Sequence, residues 1–166
     1  WLVGNYRPAE VRQCRALSRH SAAALLQLVN IQQETDSLPV GAHLISPRKL
    51  YMHHGIYLGQ GEIAHYSGFS SSLKPGPVVV TSIERFAHNK PVWLLQERPA
   101  YSSAEIVARA RSRVGENRYK VISNNCEHFC NWCIRGQNYS LQIDAYLHCP
   151  RHFFSFISAL KLHFIA

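Results

Sequence analysis

The sequence lacks any uninterrupted run of the roughly 20 apolar residues that a membrane-spanning helix requires. Its nearest approach, an apolar segment over residues 153–166, is broken by Lys161 and His163. Internal repeats are also missing, which excludes a repeat architecture. Cysteines are few, and the five present are odd in number and irregularly spaced. We therefore do not expect the disulfide framework of a small secreted domain, and we predict a reducing compartment, the cytoplasm.

Acidic residues are scarce as well. Ten Asp and Glu against 18 Lys and Arg give a formal net charge of +8. Such a surface favours acidic partners, either anionic phospholipid or nucleic acid. The basic residues are scattered, and no helix-turn-helix, zinc-finger or basic–aromatic repeat is present, so we predict no nucleic-acid partner. Peripheral contact with an anionic membrane and an ordinary solvated basic surface both stay open.

What is present indicates one globular domain, since 46% of the 166 residues are hydrophobic and 17% charged. Residues 9–33 contain no Gly or Pro and repeat apolar side chains every three or four positions. This pattern predicts an amphipathic helix within an N-terminal helical extension, residues 1–39. The chain begins with Trp1, and we expect its native start to lie upstream. We assign residues 40–150 to the main domain and residues 151–166 to an apolar C-terminal segment that could form a helix.

From Val40 onwards the apolar pattern shortens and alternates. Strands are predicted over residues 41–45, 51–58, 62–67, 78–81 and 92–95. Two helices follow, one over residues 103–114 and one that Asn124 or Asn125 caps and Gly136 ends. Strands grouped ahead of helices indicate an α+β fold, an antiparallel sheet with flanking helices.

His53 and His65 are separated by the tripeptide Gly59-Gln60-Gly61 and its flanking strands. If that tripeptide is a hairpin loop, Gly55 faces His65 across the strands and leaves a gap beside it. Alternation then places His53 and His65 on one face as diagonal neighbours, while His54 points to the other face as a core or edge residue. A change of one residue in the loop would separate the rings, so the prediction depends on register.

Cys126 follows two asparagines and opens a helical pattern, which places its thiol in a first helical turn. Unpaired N–H groups and the helix dipole there favour a thiolate, and a nearby imidazole would lower the thiol pKa further. A second polar group would hold that imidazole in the required tautomer. The candidate site is therefore Cys126 as nucleophile, His53 as general base and His65 orienting His53. First-turn N–H groups could stabilise an oxyanion.

Other roles for this cysteine stay open. Zinc is the main competitor, because Cys126, His128, Cys130 and Cys133 cluster within a short segment. On a helix the cysteines share a face and His128 points away, so four ligands cannot converge, although three with a distant fourth could. The two later cysteines form a C-x-x-C pair typical of redox sites, but no strand directly precedes it. We interpret them as core residues and predict neither a metal nor a cofactor.

The blocks Tyr51-Met-His-His-Gly-Ile-Tyr-Leu-Gly59, His65 and Asn125-Cys-Glu-His-Phe129 together resemble the lecithin:retinol acyltransferase family, over about residues 40–136. The resemblance implies a thiol acyltransferase fold, a permuted relative of NlpC-type peptidases and papain, in which the histidine strands precede the cysteine helix. By position, Cys126, His53 and His65 are similar to the family's nucleophile, base and orienting histidine.

Four further residues take an expected role from this resemblance. Arg48 and Tyr51 match positions that support the site or its oxyanion. Glu127 and His128 belong to the cysteine motif and are expected to pack and hydrogen-bond. The N-terminal helix lies outside the resemblance, and the apolar tail is shorter than the membrane anchor of some relatives.

The activity that the resemblance implies is two-step acyl transfer from a phospholipid or other acyl ester. The acyl group would pass through a thioester on Cys126 to water, an amine or an alcohol, which makes the protein phospholipase A-like when water is the acceptor. A cysteine peptidase or amidase of the NlpC type is one alternative. A catalytically silent, membrane-associated binding module is another.

Overall fold

The strands form a single antiparallel sheet in the computed structural model, which describes residues 28–30, 38–68 and 75–151. They are β1 (Leu28–Asn30), β2 (His43–Pro47), β3 (Met52–Gly59), β4 (Glu62–Gly68), β5 (Gly76–Ser82) and β6 (Trp93–Leu95). Their order across the sheet is β1-β6-β2-β3-β4-β5, so β3 is central. With the helices that follow, this arrangement confirms the predicted α+β fold.

Among the described residues, four helices accompany the sheet: α1 (Ile83–Ala87), α2 (Ser103–Ser112), α3 (Cys126–Arg135) and α4 (Leu141–His148). A capping box between Ser102 and Glu105 starts α2, as its sequence predicts. Helices α1 and α4 were not predicted. Both are short, and neither has a continuous apolar face that the sequence pattern could reveal. The helix suggested for residues 151–166 lies outside the described residues beyond Arg151.

The two faces of the sheet bury separate cores. On one face, α2 and α3 pack against Ile56 and Tyr66. On the opposite face, Phe86 of α1 packs against Tyr57 and Ile63. This division follows from the alternation of side chains along β3 and β4. It places the helix that begins at Cys126 on one face and the aromatic ring of α1 on the other.

One expectation needs correction. The predicted helix over residues 9–33 falls mostly outside the described residues, but its described part, Leu28–Asn30, is a strand that pairs with β6. Backbone hydrogen bonds to a sheet edge override a local helical pattern. Cys149 is disulfide-bonded, and the compartment stays a prediction. Among the described helices, none is long and apolar enough to cross a membrane.

The hairpin between β3 and β4 has a shorter loop than predicted. Its turn is Gln60–Gly61, both with positive φ (54° and 77°), as a type I′ turn requires. Gly59 belongs to β3 and pairs with Glu62, and the register shifts between Tyr57 and Gly59. This β-bulge takes up the residue that the shorter loop releases. The predicted register is therefore kept beyond it, with Tyr57 opposite Ile63.

Candidate active site

The two imidazoles predicted to be neighbours are hydrogen-bonded. His53 Nε2 lies 2.9 Å from His65 Nδ1, and the rings meet edge to face with centroids 4.9 Å apart. Both side chains are buried. The contact depends on the register of the hairpin, which brings the two strands' odd-numbered residues to one face. The predicted contact between these rings is therefore confirmed, whereas their catalytic roles stay a prediction.

Two groups from β4 and β5 fix the outer ring of the pair. His65 Nδ1 lies 2.8 Å from the carbonyl oxygen of Tyr66, and His65 Nε2 lies 2.9 Å from Thr81 Oγ1. The carbonyl can only accept, so it favours a hydrogen on His65 Nδ1, whereas the hydroxyl fits either tautomer. Thr81 is not predicted from the sequence as part of the site. The pairing of β4 with β5 sets His65 opposite Val79, which places Thr81 as the diagonal neighbour on the same face.

A phenylalanine from α1 supports both rings. Phe86 stacks on His53 with centroids 5.2 Å apart and meets His65 at 5.3 Å. Gly55 makes this approach possible, because a Cβ built there would lie 2.8 Å from Phe86 Cε2. The gap expected beside Gly55 is therefore filled by an aromatic side chain. No local sequence signal marks Phe86, since it reaches the site from a separate helix.

Arg48 and Tyr51 join the histidines at the edge of a cavity of about 870 Å³. Arg48 donates to Ser46 Oγ at 2.9 Å and to the carbonyl oxygens of Pro47 and Phe86. Tyr51 meets His53 edge to face, with centroids 6.2 Å apart. These contacts place both side chains beside the imidazole pair, where the resemblance expects supporting residues.

Cys126 is the first residue of α3, which packs on the face of β3 opposite the imidazole pair. Asn125 caps the helix, and its Oδ1 accepts from the N–H groups of Glu127 (2.9 Å) and His128 (3.1 Å). The backbone N–H of His54 lowers the pKa of the Cys126 thiol. Cys126 therefore belongs to the face of β3 that His54 shares. Helix α3 ends at Gly136 with φ of 71°, as predicted.

Known proteins of one family are similar to this chain. A family model described as lecithin retinol acyltransferase matches residues 36–139, more than half of the chain. The chain belongs to this family. Lecithin retinol acyltransferase of Homo sapiens is 26% identical over 141 residues, which cover 68% of this chain and 61% of that protein. The Bos taurus protein is 26% identical over 145 residues, which cover 70% and 63%. The chain thus spans about three fifths of the length of these curated relatives.

The thiol of this family member is not activated in the way that its helical position suggests. Burial raises the pKa of Cys126 to about 12, and this outweighs the lowering by the N–H groups of His54, Glu127 and Cys126 itself. The predicted fall in thiol pKa is therefore wrong for the chain as described. A helix N-terminus favours a thiolate only where some solvation remains, and Cys126 is 3% exposed.

Burial also keeps the imidazoles neutral. It lowers the pKa of His53 well below the ordinary value, and the nearby His65 and Arg48 lower it further. Burial likewise lowers the pKa of His65 to about 4, against a smaller opposing effect of the Tyr66 carbonyl. At neutral pH the site therefore holds a neutral thiol and two neutral imidazoles, and a proton must move before the sulfur can attack.

The described residues bring part of the predicted site together. His53, His65, Tyr51 and Arg48 line one cavity, and Cys126 is not among the described residues that line it. His53 Nδ1 is buried and has no hydrogen-bond partner within the described chain. It is the ring atom available to exchange a proton with a group that enters the site. The Cys126 thiol lies on one face of β3 and the His53 side chain lies on the other. No hydrogen bond joins the thiol to His53 Nδ1.

The remaining cysteine-motif residues have structural contacts. Cys130 and Cys133 are fully buried in the core, as predicted. His128 Nδ1 accepts from the Asn125 backbone at 3.4 Å and completes a capping box. Glu127 is buried and accepts from the N–H groups at the start of α4. The described residues contain no group of three or more His, Cys, Asp or Glu placed to hold a metal ion.

A buried polar chain is not predicted from the sequence: its buried members are His43, His54 and Glu127, and its half-buried members are Glu97 and Gln142. Glu97 Oε1 lies 2.6 Å from His43 Nδ1, and His43 Nε2 lies 2.8 Å from His54 Nδ1. His54 Nε2 lies 2.8 Å from Gln142 Nε2, which is 3.3 Å from Glu127 Oε2. His54 is thus a core residue on the face away from His53, as predicted. The alternation along β3 predicts that burial but not its partners.

Proposed function

We propose that this family member is a cysteine-dependent acyltransferase that takes its acyl group from a phospholipid. In the first step the Cys126 sulfur attacks the ester carbonyl while His53 removes the thiol proton. The carbon–oxygen bond then breaks, and the freed hydroxyl of the lysolipid takes that proton. The product on the protein is an acyl thioester. In the second step His53 deprotonates water, an amine or an alcohol, which attacks the thioester and restores the thiol.

One observation carries this proposal. The buried His53 imidazole is hydrogen-bonded to His65, and its Nδ1 has no hydrogen-bond partner among the described residues. His53 also belongs to the strand that the thiol contacts. Proton uptake at His53 Nδ1 requires the ring hydrogen on Nε2, where His65 Nδ1 must accept it. Since the Tyr66 carbonyl favours the other tautomer of His65, the step includes a shift of that hydrogen, which the Thr81 hydroxyl can accommodate.

The cavity chemistry supports a phospholipid as donor. Its lining carries several cationic side chains, namely Arg48, Lys49, Arg85 and Lys90. Such a lining suits the phosphodiester of a lipid headgroup better than a neutral peptide. Arg48 and Tyr51 are proposed to support the developing oxyanion, together with the first N–H groups of α3. Peripheral contact with an anionic membrane would bring the donor to the site.

Mass spectrometry after incubation with phosphatidylcholine vesicles tests the proposal. We expect an acyl adduct on the peptide that contains Cys126, none in Cys126→Ser, and much slower formation in His53→Gln. His148→Gln, an exposed histidine on α4, is the matched control and should acylate at the wild-type rate. Lack of the adduct in the wild type, or its persistence in Cys126→Ser, would defeat the assignment. Cleavage of a peptide amide without ester turnover would favour the NlpC-type alternative.

The buried thiol favours one further candidate, a binding module without turnover. Cys126 is 3% exposed and its pKa is raised to about 12, so the chain as described does not present a nucleophile. Vesicle binding that is unchanged in Cys126→Ser, with no acyl adduct in the wild type, would support this candidate. In the acyltransferase, lipid binding must instead bring the thiol and His53 together.

A further inference from the structure

The side chain of Gln142 contacts the backbone of Met52, which is next to His53, and the side chain of Glu127, which is next to Cys126. Its Oε1 accepts from the N–H of Met52 at 2.7 Å, and its Nε2 donates to the Met52 carbonyl at 3.1 Å. The same Nε2 is 3.3 Å from Glu127 Oε2. Met52 precedes His53, and Glu127 follows Cys126. One amide from α4 therefore connects the two sides of the site.

The start of β3 has a strand partner on one side only, where Met52–Ile56 pair with β2. The register pairs β3 with β4 only between Ile56 and Gly59, so this partner does not hold the segment around His53. Gln142 bonds both the N–H and the C=O of Met52, as a neighbouring strand would. This segment also includes the His54 N–H, which lowers the pKa of the Cys126 thiol. The position of the first residues of β3 thus sets the contact between strand and thiol.

The buried polar chain fixes how the Gln142 amide is oriented. The amide nitrogen can only donate, so His54 Nε2 accepts from it and His54 Nδ1 carries the hydrogen. That hydrogen is donated to His43 Nε2, and His43 Nδ1 in turn donates to the Glu97 carboxylate, which only accepts. At its other end, Glu127 Oε2 accepts from the backbone N–H of Gln142 at 3.1 Å. These donor directions are mutually consistent, and the two hydrogens of Gln142 Nε2 are shared among three acceptors, the Met52 carbonyl, His54 Nε2 and Glu127 Oε2.

We propose that Gln142 is a positioning residue for acyl transfer. Its amide fixes the Met52–His54 backbone against the start of α3 and so sets the separation of the Cys126 sulfur from His53. This inference rests on the proposed function for its catalytic consequence. The predicted effect on the thiol does not depend on turnover. Gln142 contacts no reacting atom in this scheme and acts through the backbone of β3.

The test compares Gln142→Met, which keeps the shape of the side chain and loses its amide, with the exposed control Gln137→Met. With phosphatidylcholine, Gln142→Met should lower kcat about tenfold or more and leave KM nearly unchanged, because misplaced catalytic groups weaken the transition state rather than lipid binding. Gln142→Ala should lose as much as Gln142→Met. If the role were packing alone, the methionine would preserve kcat, which would overturn the proposal.

A second measurement remains valid if the chain has no acyltransferase activity. Alkylation of Cys126 by iodoacetamide at pH 9, followed by mass spectrometry of its peptide, should slow several-fold in Gln142→Met, because the His54 N–H no longer stabilises the thiolate. An unchanged rate, or a faster one caused by opening of the core, would overturn the proposal. In a double-mutant cycle with Gln142→Met and Glu127→Gln, the alkylation rate of the double variant is compared with the rates of the two single variants. The fold-decrease in the double variant should be smaller than the product of the two single fold-decreases. Independent, multiplicative effects would also count against the proposal.

Discussion

Gly55→Ala should destabilise the protein by disturbing the aromatic support of the histidine pair. A Cβ at this position would lie 2.5 Å from Ile63 Cγ2, 2.8 Å from Phe86 Cε2 and 3.3 Å from Phe86 Cζ. Ile63 and Phe86 are both fully buried, so neither can yield without moving the core. Overpacking of this kind typically costs about 1–3 kcal/mol. Alanine recovers about 0.5–1 kcal/mol of backbone entropy relative to glycine in a strand. The two ranges leave a net loss of up to about 2.5 kcal/mol, with a middle value of about 1 kcal/mol.

Urea denaturation monitored by circular dichroism measures this loss as a change in the free energy of unfolding. Phe86→Leu provides the matched control, because it removes the ring atoms that the new methyl group would contact. In a double-mutant cycle, Gly55→Ala should cost at least about 0.5 kcal/mol less in the Phe86→Leu background than in the wild type. A Gly55→Ala variant as stable as the wild type, with full acyl-adduct formation, would refute the close approach of Phe86 to β3.

Three further predictions concern the cap, the buried imidazole and the thiol. Asn125→Ala removes a side chain that accepts from two helix N–H groups and should lower the free energy of unfolding by about 1–2 kcal/mol. Asn125→Asp keeps an acceptor and should retain most of this free energy. Equal losses in the two variants would contradict the capping role. Because burial lowers the pKa of His65 to about 4, the unfolded chain binds a proton first as pH falls. Stability should therefore drop by up to about 3 kcal/mol between pH 6.5 and 4, and His65→Gln should drop less in a pH series of denaturation curves. Because burial raises the pKa of Cys126 to about 12, its alkylation by iodoacetamide should be far slower than that of free cysteine at pH 7 and should rise about tenfold per pH unit above it. A rate that levels off near pH 8 would show an ordinary thiol pKa.

The parts of the fold that local pattern controls were predictable. Alternation gave the faces of His53, His54 and His65, and the Ser102 and Asn125 caps gave the starts of the two predicted helices. The hairpin prediction reached the right register through a loop of the wrong length. A β-bulge compensated for it, and no local rule requires a bulge at Leu58.

The parts that depend on distant contacts were not predictable. Thr81, Phe86 and Gln142 reach the histidine strands from elements far along the chain, and each is an ordinary residue in its own segment. The thiol pKa was misjudged for a related reason. The helix position of Cys126 is local, but its burial is set by packing across the sheet, and burial has the larger effect.

The bulge in the β3–β4 hairpin has a consequence for how this region can vary. The bulge offsets the two-residue turn. Losing or gaining a single residue anywhere between Tyr57 and Glu62 would therefore shift the register of the two strands by one residue, so that the side chains of one strand would point to the opposite face of the sheet. One imidazole would then face α3 and the other α1. The hairpin turn is thus expected to tolerate substitutions at Gln60 far better than insertions or deletions. A relative with an alignment gap here is expected to lack the histidine pair.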